Sequence, residues 1–225
     1  MNKSGLLEEP AFDNLQKYLL SGERTEITDN IKRVANQING NTDGLVIRNI
    51  LLWINQNTRR LHDGRDHRKF KRSADEILDS RERTGCCDSS TLFTAIARAK
   101  GIPTMQILTF DKDWGKAIDR GEQIGTEGHF YVGCFLKDIN GKGNWTLIDS
   151  DMPVKDIRDI DIRKLDTNNR NISKRRYAFA YTKDYSDIEI NGLKIDCISS
   201  MAKIQRLAYE MCDKEDFKEK ESKEL

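Results

Sequence analysis

No window of the 225-residue sequence approaches the roughly 18 apolar residues of a membrane span, which argues against a chain threaded through a bilayer as helices. Charge of one sign is also lacking. The 38 Lys and Arg are balanced by 37 Asp and Glu, a formal net charge of +1, so nothing global directs the chain to nucleic acid or to a membrane surface. The opening residues, Met1-Asn2-Lys3-Ser4-Gly5-Leu6-Leu7-Glu8-Glu9, lack the apolar run of a secretory signal. The final Ser-Lys-Glu-Leu therefore carries no weight as a retention signal. No C-x-x-C pair is present, so a paired-cysteine zinc site is not expected. The five cysteines are an odd number and read as free thiols in a reducing compartment. A cytoplasmic protein without metal or cofactor is expected. A metal cluster of Cys86, Cys87, His129 and Cys134 is set aside, because adjacent cysteines rarely point at one ion.

What is present is enough for a core and for a heavily solvated surface: 37% of residues are apolar and 33% charged. Residues 11–20 carry Ala11, Leu15, Tyr18 and Leu19 at helical spacing, and 24–39 carry Ile27, Ile31, Val34 and Ile38. A third helix is expected from about Asp43 to Leu61, with Ile47, Ile50, Leu51, Ile54 and Leu61 inward. Residues 59–72 are strongly basic (Arg59, Arg60, Arg65, Arg68, Lys69, Lys71, Arg72) and include His62 and His67. They read as a solvated surface loop with surface histidines. The competing reading is contact with an acidic substrate or nucleic acid. Ser73-Ala74-Asp75-Glu76 is a capping box that opens a short helix toward Arg83.

The informative stretch runs from Gly85-Cys86-Cys87-Asp88 to Gly101-Ile102-Pro103. Leu92, Phe93, Ile96, Ala97 and Ala99 give a helix with an apolar side, stopped by Gly101. Gly85 permits a sharp turn into it. Cys86 and Cys87 then lie at the helix start, where free N–H groups and the positive dipole end favour thiolate. Those N–H groups would also meet the oxyanion of an attacked carbonyl. A first strand is expected over Thr104–Phe110, then a Gly-rich, charged loop over 111–127, with a short helix near Trp114–Ile118, placed over the site as a region of substrate selection. A second strand, His129–Lys137, presents His129, Tyr131, Gly133 and Phe135 on one face and Phe130, Val132, Cys134 and Leu136 on the other. Cys134 therefore reads as a core thiol. Asn140-Gly141-Lys142-Gly143 is a hairpin turn, and Asn144–Asp149 returns antiparallel, which brings Asp149 back toward His129. Asp151 is a second carboxylate that could compete for that place. Residues 150–175 read as a charged, irregular connection. Further on come a strand at Arg176–Lys183, a hairpin at Asp187–Ile195 around Asn191-Gly192, and a helix at Cys197–Cys212. In that helix Ile198, Met201, Ile204, Leu207, Ala208 and Met211 point inward and both cysteines pack. The tail 213–225 reads as charged and disordered.

Three blocks, in order, carry a resemblance. Cys86, Asp88, Leu92-Phe93 and Arg98-Ala99-Lys100-Gly101-Ile102-Pro103 form the first; His129-Phe130-Tyr131-Val132 the second; Trp145-Thr146-Leu147-Ile148-Asp149 the third. Together they resemble the transglutaminase-like superfamily of cysteine hydrolases and transferases, over roughly residues 43–150. The resemblance implies an α+β, papain-like/transglutaminase core: a nucleophile helix packed on an antiparallel sheet, with N-terminal helices and a C-terminal helix added. It implies Cys86, not Cys87, as nucleophile, with His129 and Asp149 completing a Cys-His-Asp triad. It also implies an oxyanion-holding side chain from the upstream helix, for which Asn57 or Gln56 is available. The more economical reading of both is a pair of solvated helix-end amides. One departure is that Ser150 follows Asp149, where the family often has proline.

The division expected is an N-terminal helical arm (1–42), a catalytic core (43–183), a C-terminal hairpin and helix (184–212) and a tail (213–225). The activity expected is thiol-dependent hydrolysis of amide bonds in a protein or peptide substrate through a thioester, with no membrane or nucleic-acid partner. The alternatives are a protein-glutamine acyltransferase and a binding module that keeps the fold without turnover. A peptide N-glycanase is set aside, because that group carries an upstream paired-cysteine zinc site.

Overall fold

A helix buried on every side organises the chain. In the computed structural model, which describes residues 12–61, 66–122, 125, 127–153, 162–167, 169–190 and 192–212, α4 (Cys86–Ala99) is buried from Cys87 through Arg98. Its start needs Gly85, whose φ of +147° is open to glycine and rarely to other residues. Its end is closed by Gly101 at φ +78°, with the Ile102 N–H donating back to the Ala97 carbonyl. Leu92, Phe93, Ile96 and Ala97 pack against α1 (Asp29–Gln37), α2 (Asp43–Asn57) and α3 (Ala74–Ser80), and against Val132, Cys134 and Ile148 of the sheet. The polar residues of α4 are buried too, and several find partners inside: Gln106 Nε2 donates to both the Ser90 and the Thr91 hydroxyls at 3.3 Å.

The sheet beneath α4 has five antiparallel strands in the order β6-β5-β4-β3-β7. These are β3 (Thr104–Asp111), β4 (Gly128–Lys137), β5 (Gly143–Ile148), β6 (Arg163–Lys164) and β7 (Arg176–Thr182). The fold is α+β, as the sequence predicts. The alternation expected along β4 is present: Val132 and Cys134 face α4, while Tyr131 and Phe135 face the opposite side, with Tyr18, Met105, Ile107 and Trp145. The Cys134 thiol is fully buried, and burial pushes it up to about 12, so it stays a neutral core group. A second apolar cluster joins β3, β4 and β7 to α5 (Lys112–Asp119) and α6 (Ile198–Met211). The hairpin β8 (Glu189–Ile190)–β9 (Leu193–Lys194) precedes α6; Asn191 at its tip and the tail 213–225 lie outside the described residues.

Several expected elements differ in extent. The first helical stretch is one 3-10 turn, Leu15–Leu19, with Tyr18 fully buried. α1 begins at Asp29, because Thr28 caps it and residues 24–25 are drawn away: the Arg24 N–H, the Thr25 N–H and the Thr25 hydroxyl all donate to Asp184 Oδ2. α2 stops at Asn57, not Leu61. Thr58 turns extended, and Arg59–Arg60 form β1, a two-residue parallel pair with β2 (Glu82–Arg83). The capping box at Ser73 and Glu76 is present in both directions. In α6, Met211 is exposed and Tyr209 points inward instead, its hydroxyl donating to Asp119 at 2.5 Å. Cys197 is not a packing thiol. It caps α6, its sulfur accepting from the Ser200 N–H.

No helix among the described residues is long and apolar enough to cross a membrane.

Candidate active site

The turn Thr84-Gly85 delivers Cys86 to the first position of α4, and its conformation is held from behind. Asp88 is 1% exposed, and its Oδ2 accepts from the Thr84 N–H (2.6 Å), the Thr84 hydroxyl (2.7 Å) and the Arg72 guanidinium. The acidic residue two positions after the cysteine is therefore a clamp on the turn, with its charge spent internally. No side chain caps the α4 N-terminus, so the first N–H groups of the helix remain available.

The paired cysteines diverge. Cys86 lies at the floor of an open cleft of about 270 Å³, with Arg60, Leu61, Lys69, Thr84, Gly85, Gly128, His129 and Asp151 as the other lining residues. Cys87 is fully buried among Leu108, Phe130 and Tyr185, and burial together with the neighbouring Asp88 pushes its thiol well above the ordinary range.

The structure brings Cys86, His129 and Asp149 together. His129, near the start of β4, contacts Asp149 Oδ1 through Nε2 at 2.9 Å; Asp149 follows the last residue of β5. Val132 pairs with Ile148, so the hairpin register carries Asp149 to the His129 end of β4, as strand pairing alone predicts. His129 and Cys86 both line the cleft, close enough for their charges to act on each other. The Tyr131 ring stands edge-on to the imidazole at 4.6 Å and limits its rotation. Burial works against charge on each member, yet the couplings prevail. Cys86 is lowered, chiefly by the His129 cation, which prevails over burial and the Asp151 charge. His129 is raised to about 10 by the Cys86 sulfur and by Asp149. Asp149 is lowered by its bond to His129. These directions favour charge on the thiol and on the imidazole, with a carboxylate bonded to the ring.

Asp151 does not compete for His129. Its carboxylate is turned inward, accepting from Arg60 Nε and Nη2 (3.1 and 2.6 Å to Oδ2) and from the Ser89 hydroxyl of α4 (2.7 Å to Oδ1), with Arg83 at 3.5 Å. Its backbone N–H donates to Asp149 Oδ1 at 3.1 Å. One residue thus ties the Asp149 turn to the helix that carries Cys86. Arg83 is itself buried on Thr58 and Ser89. Replacing Asp151 by Ala leaves two guanidinium groups without their carboxylate. Stability should fall by about 3 kcal/mol, read as a lower urea midpoint, whereas the isosteric Asp151→Asn should lose less. Equal midpoints for Asp151→Ala and the parent chain would show that this network ties nothing.

The basic run is not simply a solvated loop. Arg59 and Arg68 pair with Glu82, Arg68 also with Asp66, Arg72 with Asp88, and Arg60 with Asp151. The signal for these roles was the unusual density of arginine, but not its partners, which are distant in sequence. His67 is exposed, and His62 lies outside the described residues. Asn57 and Gln56 do not reach the cleft. The Asn57 amide donates to the Trp53 carbonyl of its own helix at 2.8 Å, and Gln56 is exposed. Nor do the described residues of 111–127 line it. Trp114 packs edge-on to Tyr209 of α6, so this stretch closes the second core; Gln123, Ile124 and Thr126 lie outside the described residues. No group of three or more metal-ligating side chains occurs among the described residues.

The family model of the transglutaminase-like superfamily matches residues 23–150, which contain α1–α4, the β4–β5 hairpin and all three clustered residues. The chain belongs to the transglutaminase-like superfamily. This is a family of cysteine enzymes. Among solved structures, the chain is similar to a "Putative Cysteine Protease from Cytophaga hutchinsonii", with a TM-score of 0.52 and 16% identity over 78% of this chain. At that identity the likeness is one of fold. The match covers 49% of that protein, so this transglutaminase-like chain corresponds to about half of it. No curated protein matches the sequence significantly.

Proposed function

We propose that the protein is a thiol hydrolase that cleaves amide bonds of a protein or peptide substrate. The observation that carries the reading is the Cys86–His129–Asp149 cluster at an open cleft, with the imidazole bonded to Asp149 and lining the cleft beside Cys86. Cys86 sulfur attacks the substrate carbonyl carbon, and the S–C bond forms as the carbonyl becomes an oxyanion. The Cys86 N–H, uncapped at the start of α4, meets that oxyanion. His129 gives its proton to the leaving amine as the C–N bond breaks, which leaves a thioester on Cys86 and a neutral imidazole. Water then attacks the thioester, His129 takes its proton, and the acid and the thiolate–imidazolium pair are released. Asp149 holds the ring and stabilises its cationic form throughout.

Water as the acceptor is favoured by accessibility. The His129 and Asp149 side chains retain 19% and 23% of their exposure, whereas selective transfer to an amine requires water to be kept out. The test is release of new primary amines from a mixed peptide substrate, together with ammonia release in the presence and absence of an added amine. Cys86→Ala should lower peptide cleavage by about three orders of magnitude. Cleavage that persists in Cys86→Ala removes the reading. Ammonia release coupled to amine incorporation, without cleavage, replaces it by acyl transfer.

A further inference from the structure

The cations between residues 59 and 72 are mostly consumed inside the fold, as the pairs above show, and Arg65 lies outside the described residues. Lys69 is different. It lines the cleft together with Cys86 and His129, and among the described residues no carboxylate pairs with it. Its Cε lies 3.9 Å from where a Cβ on Gly85, the residue before Cys86, would stand. The backbone that carries it is pinned. The next residue, Phe70, has φ +67° and is 5% exposed, with its ring against Phe130 at 5.8 Å and Tyr185 at 6.2 Å. A non-glycine residue keeps that conformation only where its surroundings over-determine it, so Lys69 is presented in a fixed place.

Two of the described acids at the cleft are already committed. Asp151 is spent on Arg60, Arg83 and Ser89, and Asp149 on His129. Beyond His129, the Tyr131 ring borders a second groove of about 410 Å³ whose other lining residues are Ser173, Lys174, Arg175 and Arg176. The two arginines share the single carboxylate of Asp111. Lys69 in the cleft and the cations of this second groove leave both surfaces lined with positive charge.

We propose that the cleft selects acidic peptides, with Lys69 pairing a substrate carboxylate next to the scissile carbonyl. The proposal rests on Cys86 being the reacting thiol, and the experiment separates the two. Iodoacetate and iodoacetamide alkylate the same sulfur, forming an S–C bond and expelling iodide. They differ only in carrying a carboxylate or a neutral amide. Second-order rate constants for Cys86 with each reagent are measured by peptide mapping at low ionic strength in the parent chain, in Lys69→Met and Lys69→Glu, and in Lys142→Met, a control in the exposed β4–β5 turn. The iodoacetate/iodoacetamide ratio should fall about five-fold in Lys69→Met and further in Lys69→Glu, as expected for loss and reversal of one nearby charge. It should hold in Lys142→Met. Added salt at about 0.5 M should erase most of the parent chain's preference. A ratio indifferent to both Lys69 variants, with Cys86 still selectively labelled by iodoacetamide, overturns the acidic subsite and leaves the thiol reading intact. Absence of selective Cys86 labelling by either reagent overturns both.

Discussion

In a His129→Ala variant, the rate of Cys86 alkylation by iodoacetamide at pH 6 should fall about a hundred-fold. Opposed influences act on the sulfur. Burial and the Asp151 charge oppose its ionisation, while the His129 cation and the Phe130 N–H favour it. Without His129 the Phe130 N–H alone stands against burial and Asp151, and the thiol returns to, or above, the ordinary range near 8.5, where very little thiolate exists at pH 6. The signs also fix the pH profile of the parent chain. A lowered Cys86 means that thiolate is present well below the ordinary thiol range. His129, raised to about 10, keeps its proton until the solution approaches that pH. Alkylation should therefore rise at low pH and then stay level. Amide cleavage needs the His129 proton for the leaving amine, and should fall as pH nears about 10. Cys87 should remain unlabelled throughout, because it is buried and neutral. A His129→Ala chain whose Cys86 labels at pH 6 as fast as the parent would show that the imidazole does not activate the thiol.

Arg98→Met should be the most destabilising single change discussed, lowering the stability by about 4 kcal/mol and the melting temperature by about 10 °C. The guanidinium, in a residue 3% exposed near the end of α4, serves four backbone carbonyls and a hydroxyl. Nε donates to Tyr18 and Thr104, Nη1 to Leu20 and the Thr25 hydroxyl, and Nη2 to Thr104 and Lys183. It joins the central helix to the N-terminal segment, to the start of β3 and to the end of β7. Burial lowers it to about 10, while Asp184 and Asp187 support its charge, so it remains cationic at neutral pH. Methionine fills similar volume but leaves those carbonyls without a donor, each at a cost of about 1–3 kcal/mol before relaxation. Arg98→Lys should rescue little, since one ammonium cannot reproduce the planar fork. Calorimetry or far-UV circular dichroism reads the outcome. A loss of less than about 3 °C would mean that water replaces these bonds without penalty.

Much of the site was legible before any coordinates. The Gly85-Cys86 helix start follows from a glycine before an apolar helical stripe, and the His129–Asp149 approach follows from the hairpin turn and strand alternation. Both are local consequences, set by residues within about 20 positions of one another. The choice of Cys86 over Cys87 rested on the family resemblance, and the structure shows its physical side: one thiol opens to the cleft and the other is sealed in the core. Element ends were less legible. α2 stops short of Leu61 because β1 is claimed by β2, more than twenty residues later.

The family and the choice of Cys86 came from a resemblance, whereas two elements were determined by the sequence itself: the central helix, and the β4–β5 hairpin that turns Asp149, with Asp151 as its competitor, toward His129. Both elements depend on periodicity, turn chemistry or spacing, which are short-range. Only the tertiary structure decided which charges are available. Arg60, Arg68, Arg72 and Arg98 look alike in the sequence, yet each is paired or bonded by groups from other elements, and Asp151 is turned away from the histidine that Asp149 holds. A guanidinium or a carboxylate has no fixed role until burial and partners are assigned, and those come from long-range packing. That is why the basic stretch at 59–72 read as surface and proved to be mostly framework, with Lys69 at the cleft.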